Sequence, residues 1–267
     1  MKNRFSKIIV GMVFFCILFP LVLIFILSFA KNWRWPLLFP KNFGLRSWKY
    51  FFDAKTKSRI ALGNSCIISL AVTILTFAIT MPAAKAAAFY QFKLKRFFEL
   101  LFFLPLVIPP VTLAMGLHIE FIKLNLANNF FGVILINIFP CIPYSFFILK
   151  SGFALMGETI ELQAKTLGAN PFQVLYTVTL PLLLPSIITA AVMVFIISFS
   201  QYFLSFCIGG GRVLTFPILM VPFIQSGDRM LGCTFSVVFI IVLFLIVHIS
   251  EKLIARLYKK RFGAVDA

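Results

Sequence analysis

The chain has 267 residues, of which 61% are hydrophobic and only 12% charged, with a formal net charge of +17. A soluble domain carries about twice that charged fraction, so this composition excludes an ordinary soluble globular protein. The positive charge sits mostly between apolar runs, where it meets lipid headgroups; no soluble basic domain is left to bind nucleic acid.

Apolar runs of roughly 20 residues, the length that crosses a bilayer, recur six times. They cover approximately 8–30, 60–81, 97–118, 130–150, 182–206 and 231–250, each flanked by charge, proline or glycine. Spanning strands would alternate and be half as long, so the expected fold is an all-α integral membrane bundle of six helices.

The first run follows Lys2, Arg4 and Lys7, with Ser28 and Ala30 at its far end, and superficially resembles a signal peptide. Its apolar part exceeds the usual 7–15 residues, which reads as a retained span. The loop 31–59 holds eight basic residues together with Trp33, Trp35, Trp48 and Tyr50. That mixture is expected at a membrane interface. Residues 1–59 thus form one expected unit, 60–255 a membrane core and 256–267 a basic tail.

In the second run Ser65, Ser69, Thr73 and Thr76 share a helical face, with Asn64 beside them. In the fifth, Ser198, Gln201 and Ser205 share another. Asn64, Ser69, Thr73, Ser198 and Gln201 are therefore candidates to line a solute pathway, because polar groups at membrane depth want a cavity or a partner. For the hydroxyls, close packing and interhelical hydrogen bonds are the plainer explanation. Pro105, Pro109 and Pro110 interrupt the third run, and Pro140 and Pro143 the fourth. Such breaks either expose backbone to a solute or merely bend the helices.

The segment between the fourth and fifth runs differs from every other loop. Residues 158–167 are good helix formers, stopped by Gly168 and Asn170-Pro171. Ile160, Ala164 and Leu167 recur at i, i+4 and i+7, giving a short surface helix with one apolar stripe. Gly209-Gly210-Gly211-Arg212, after the fifth run, lacks the Lys-Ser/Thr of a phosphate loop and reads as a flexible outer turn. The cysteines, Cys16, Cys66, Cys141, Cys207 and Cys233, form no CxxC pair and read as small core residues; His118 and His248 stand apart, so neither a metal nor another cofactor is expected.

Leu167-Gly168-Ala169, with Val178, Leu180 and Pro181 at fixed spacing behind it, resembles the cytoplasmic loop motif of binding-protein-dependent ABC importer permeases. The similarity extends over about 60–250 and includes the proline-broken third run; the stretch from Ser200 to Arg229 is loosely similar to the polyamine, iron, thiamine and phosphonate branch. One departure stands out. The family's glutamate would fall at Leu162 and its alanines at Gln163 and Ala164, of which only Ala164 matches. Glu161, one position upstream, either takes over that role or leaves it unfilled.

The resemblance implies a permease subunit without chemistry of its own. It implies a coupling helix between spans four and five that docks on a separate cytoplasmic ATPase dimer. Glu161, Ala164, Leu167, Gly168, Ala169, Pro171, Leu180 and Pro181 are then the coupling residues. A second permease, identical or related, and an extracytoplasmic solute-binding protein are the other implied partners. A cytoplasmic loop 151–181 places both termini inside a bacterial-type cell membrane. Charge agrees weakly, with 14 of the 25 basic residues on that side. An ATP-independent carrier or channel would treat the motif as coincidence, and a membrane enzyme lacks HExxH, GxSxG or paired intramembrane carboxylates.

Overall fold

The computed structural model describes residues 2–262 except 32, 34–39 and 41. Arg34, Trp35 and Lys41 of the basic loop, and 263–267 of the tail, therefore lie outside the described residues. Twelve α-helical elements succeed one another: α1 Lys2–Ser28, α2 Arg46–Phe52, α3 Ser58–Phe89, α4 Lys95–Val107, α5 Pro110–Lys123, α6 Phe130–Met156, α7 Glu158–Thr166, α8 Pro171–Gln173, α9 Leu180–Phe199, α10 Phe203–Gly209, α11 Phe216–Gln225 and α12 Arg229–Phe262. Among the described residues, five uninterrupted stretches are long and apolar enough to cross a membrane, and α4 with α5 makes a sixth if that bent pair is one span.

The third span, expected over 97–118 and interrupted by prolines, breaks at Pro109 and Pro110. The chain bends by 100° between α4 and α5. Ile108 and Pro109 are both extended (ψ 122° and 135°) because each precedes a proline, and a proline ring disfavours the helical region for the residue before it. The fifth span also differs. It runs as one helical stretch over 171–199 and ends at Phe199, and α10 starts separately at Phe203. The second span overruns its expected end at 81 and reaches Phe89. Its last turns, Ala83-Ala84-Lys85-Ala86-Ala87-Ala88, consist largely of the strongest helix former.

Residue contacts group the chain into two units, Met1–Leu62 with Ile218–Phe244, and Gly63–Pro217 with Leu245–Ala267. In the first, aromatic rings do the packing. Trp48 stacks on Phe29 at 5.6 Å, and Phe235 meets both Phe51 and Phe223 at 5.3 Å. The short helix α2 is thus anchored through a buried Phe51 rather than lying free on a surface. Arg229 lies over the Trp33 ring at 5.1 Å, and Arg46 pairs with Asp228 at 3.7 Å. Over 9–27 the apolar stretch of α1 has none of its residues buried, as expected of a helix whose surroundings are lipid. Cys16 lies on it and is exposed, contrary to the core reading of the cysteines; Cys141 is buried, and Cys66, Cys207 and Cys233 are half-buried.

In the second unit α6 is the central element, with more than half of its apolar stretch buried. It packs most closely on α9. A Cβ added at Gly152 would fall 2.6 Å from the Cβ of Ser186 and closer still to its hydroxyl, so the two helices meet at a bare backbone. Gly152→Ala must push them apart. We expect a loss of about 1–3 kcal/mol, the usual penalty for overpacking, read as a lower thermal midpoint in detergent with an unchanged helical signal.

Candidate functional site

At the end of α6, Gly157 (φ +75°, ψ 149°) turns the chain into α7. Glu158 and Glu161 lie in the first turn of α7, where the helix dipole favours negative charge, and Lys165 lies in the last. The helix closes through a left-handed residue, Gly168 (φ +89°): its N–H bonds the Lys165 carbonyl at 2.9 Å, and that of Ala169 bonds Ala164 at 3.1 Å. Asn170 then starts a new helix through a complete capping box with Gln173, and Pro171 takes the first helical position.

Beyond Gln173 the helix loses its regularity. Val174–Thr179 forms a π turn, in which the Leu180 N–H reaches the Leu175 carbonyl five residues back. Pro181 accounts for it. A proline has no N–H to donate, and its ring crowds the carbonyl four residues earlier. A widened turn relieves that crowding, and π turns of this kind are frequent at functional sites. This one points Thr179 inward, fully buried.

The inward-facing group of α7 is Glu161, which is 3% exposed. Its carboxylate accepts two hydrogen bonds from Lys85 Nζ, at 2.8 and 2.6 Å, and one from Thr179 Oγ1 at 2.6 Å. Three elements are thereby tied at one carboxylate: the end of α3, the short helix α7 and the π turn leading into α9. Burial pushes the Glu161 carboxyl up. The hydrogen bonds from Lys85 and Thr179, with the charges of Lys85 and Lys165, outweigh that and hold it below its ordinary value.

A carboxyl whose folded value is lowered stabilises the fold above its unfolded value, about 4.3, and loses that contribution as pH falls through the lowered one. Amide exchange in α7, corrected for its intrinsic pH dependence, should therefore stay slow from pH 7 to about 5 and accelerate below about 4. Glu161→Gln should abolish that step.

The opposite side of the segment is apolar and bare. Leu167 is 88% exposed, Phe172 75% and Tyr176 66%. Leu162, at the position of the family's glutamate, is exposed as well. Of the expected coupling residues, Leu167, Gly168 and Pro171 are thus outward, and Ala164, Ala169, Leu180 and Pro181 are half-buried. Glu161 is turned into the protein. Sequence reasoning missed Lys85, Thr179, Phe172 and Tyr176. A lone lysine inside an alanine run was the one available signal for Lys85.

The polar residues of the spans are largely folded into helix packing. Asn64 donates to the Leu214 carbonyl at 2.9 Å, and Ser65 accepts from the Phe216 N–H at 2.7 Å. Asn137 meets Ser205 at 3.1 Å, and Thr80 meets Ser145 at 2.7 Å. Thr73 bonds the Ser69 carbonyl, while the hydroxyls of Ser69 and Ser198 are buried with no protein hydrogen-bond partner. Gln201 is half-buried just beyond the end of α9.

Comparison with known proteins agrees with this architecture. The profile of the family described as "Binding-protein-dependent transport system inner membrane component" matches residues 80–262. A putative 2-aminoethylphosphonate transport system permease protein, PhnV of Salmonella typhimurium, is 26% identical over 262 residues, covering 97% of this chain and 98% of its own. The molybdenum transport system permease protein ModB of Mycobacterium tuberculosis is 31% identical over 179 residues, 62% of this chain and 68% of its own. Among solved structures, a bacterial ABC transporter involved in the import of the acidic polysaccharide alginate superposes with a TM-score of 0.72. It covers 94% of this chain and 95% of that one at 17% identity, a likeness of fold.

Proposed function

Because this chain belongs to the family of binding-protein-dependent transport system inner membrane components, and is thus a membrane-spanning permease subunit of an ABC importer, we propose that the segment 158–181 is its seat for a separate ATPase. The observation that carries the proposal is the two-sidedness of this segment. Leu167, Phe172 and Tyr176 stand out from it as large, bare apolar groups, whereas Glu161 ties its other side into the membrane helices. A short helix so fixed moves as one piece with the ends of α3 and α9. Closure of an ATPase dimer beneath it would reach the spans as displacement instead of being lost in a loose loop.

Under this reading Glu161 acts inside the permease, positioning the docking surface without touching the ATPase. The loop 151–181 faces the cytoplasm and both termini lie on that side. A second permease, identical or related, completes the pathway, and an extracytoplasmic binding protein delivers the cargo. The relatives are named for cargoes as different as an aminophosphonate and molybdenum, so the assignment rests on the coupling segment and not on a cargo site.

A cysteine-replaced chain carrying only Phe172→Cys tests the proposal. In inside-out membrane vesicles it should react with an impermeant maleimide, lose that reactivity when the ATPase is bound, and cross-link to the ATPase through a short spacer. Labelling only from the extracytoplasmic face would reverse the orientation and exclude the docking role.

A further inference from the structure

A second site lies at the same end of α3 and owes nothing to the ATPase. A half-open groove of about 370 Å³ runs between α3, α4 and α6, lined chiefly by Ala83, Ala86, Ala87, Phe98, Phe102 and Phe146. Alanines leave the α3 wall low. Phe102 stacks on Phe146 at 4.2 Å and closes the floor. The carboxylate in the lining, Glu99, is paired with Lys150 at 2.7 Å, so the groove presents no free negative charge from it.

A basic turn adjoins the groove. Phe92 and Phe98 both line it, and their rings meet at 5.9 Å. The turn they bracket carries Lys93, Lys95 and Arg96 and contains no acidic residue. Lys95 is held there by a bond from its ammonium to the Tyr90 carbonyl at 3.2 Å. The groove lies past the end of the apolar run 60–81, which would place its walls at the depth of upper acyl chains and its open end near headgroups.

We propose that this groove holds an acyl chain of an anionic phospholipid whose phosphate is bound by Lys93, Lys95 and Arg96. Basic pockets between membrane helices on the cytoplasmic side select such headgroups, and apolar walls without free charge suit hydrocarbon. A zwitterionic lipid would fill the same walls but gain little from three cations. A free phosphate would use the cations and leave the walls wet. Ala86 and Ala87 come directly after Lys85, so the bound lipid lies beside the Lys85–Glu161 pair without being part of it.

The test uses the full chain, with whatever subunits it brings, purified in detergent. Palmitoyl-oleoyl phosphatidylglycerol and phosphatidylcholine are added in equal amounts, and retained lipid is read by native mass spectrometry. Phosphatidylglycerol should be retained about tenfold or more over phosphatidylcholine, a conservative share of the gain from three surface cations. Lys93→Gln/Lys95→Gln/Arg96→Gln, which removes two exposed cations and the half-buried Lys95, should bring the ratio close to one. Ala86→Leu, which fills the groove and keeps the charges, should lower retention of phosphatidylglycerol.

Equal retention of the two lipids by the wild type, or an unchanged preference in the triple variant, would overturn the proposal. So would competition by glycerophosphoglycerol, the headgroup without chains, as strong as that of the intact lipid, which would mean an anion site independent of the groove. An assembled complex that carries no lipid there, with Ala86→Cys cross-linking to a second subunit, would assign the groove to a protein partner instead.

Discussion

Lys85→Met is expected to loosen the short helix α7 far more than Glu161→Gln does, although both break the same ion pair. The lysine substitution strands a carboxylate that is 4% exposed and keeps only the Thr179 bond. Removing one partner of a buried pair typically costs 3–5 kcal/mol; because the Lys85 side chain is 32% exposed, about 2–3 kcal/mol is the appropriate expectation. Glu161→Gln leaves an amide oxygen to accept from Thr179 and lets the lysine reach water, so about 1 kcal/mol is expected. Replacing both residues, in Lys85→Met/Glu161→Leu, should restore part of the loss, since a well-packed apolar pair can substitute for a buried ionic one. Hydrogen exchange over α7 reads all three: a rise of roughly thirty- to a hundredfold for Lys85→Met, less than tenfold for Glu161→Gln, and an intermediate value for the double variant. A double variant worse than either single one would mean that the pair is not the tie between α3 and α7.

The second large effect concerns the outer side of the same segment. Leu167→Ala/Phe172→Ala removes two side chains that touch little of their own chain, so folding should change by no more than about 0.5 kcal/mol. Binding should not be spared. Apolar anchors that become buried at the centre of an interface cost 2 kcal/mol or more when truncated, so the affinity for the ATPase should fall about thirtyfold or more. The contrast is diagnostic: Lys85→Met acts on the fold of the segment, Leu167→Ala/Phe172→Ala on its partner. Loss of affinity accompanied by rapid exchange in α7 would mean that these side chains support the segment and do not dock it.

Much of this architecture was legible in the residues, for reasons that can be stated one element at a time. Span positions come from apolar length, which lipid dictates. The expected helix over 158–167 is observed as Glu158–Thr166 because its stop signals, Gly168 and Asn170-Pro171, act through local backbone geometry. Pro109 and Pro110 announced a break in the third span, but the 100° angle depends on how α4 and α5 pack, which no local pattern encodes. The tie at Glu161 was hidden for the same reason. Lys85 lies 76 residues away in sequence, and the π turn that brings in Thr179 arises from a proline two residues further on. The apolar stripe drew attention to Ile160, Ala164 and Leu167, of which Ile160 and Leu167 are exposed, whereas the barest side chains are Leu167, at the C-cap of α7, with Phe172 and Tyr176 beyond the Gly168 turn.

The most direct test of the central claim is to extract the full chain from its native membrane and ask what comes with it. The wild-type chain should bring down an ATPase in stoichiometric amount, and Leu167→Asp/Phe172→Asp should lose that ATPase while keeping its thermal midpoint and its second permease. Equal recovery of the ATPase by both chains would contradict docking through 158–181, and a folded wild-type chain that recovers none would contradict the coupling role itself.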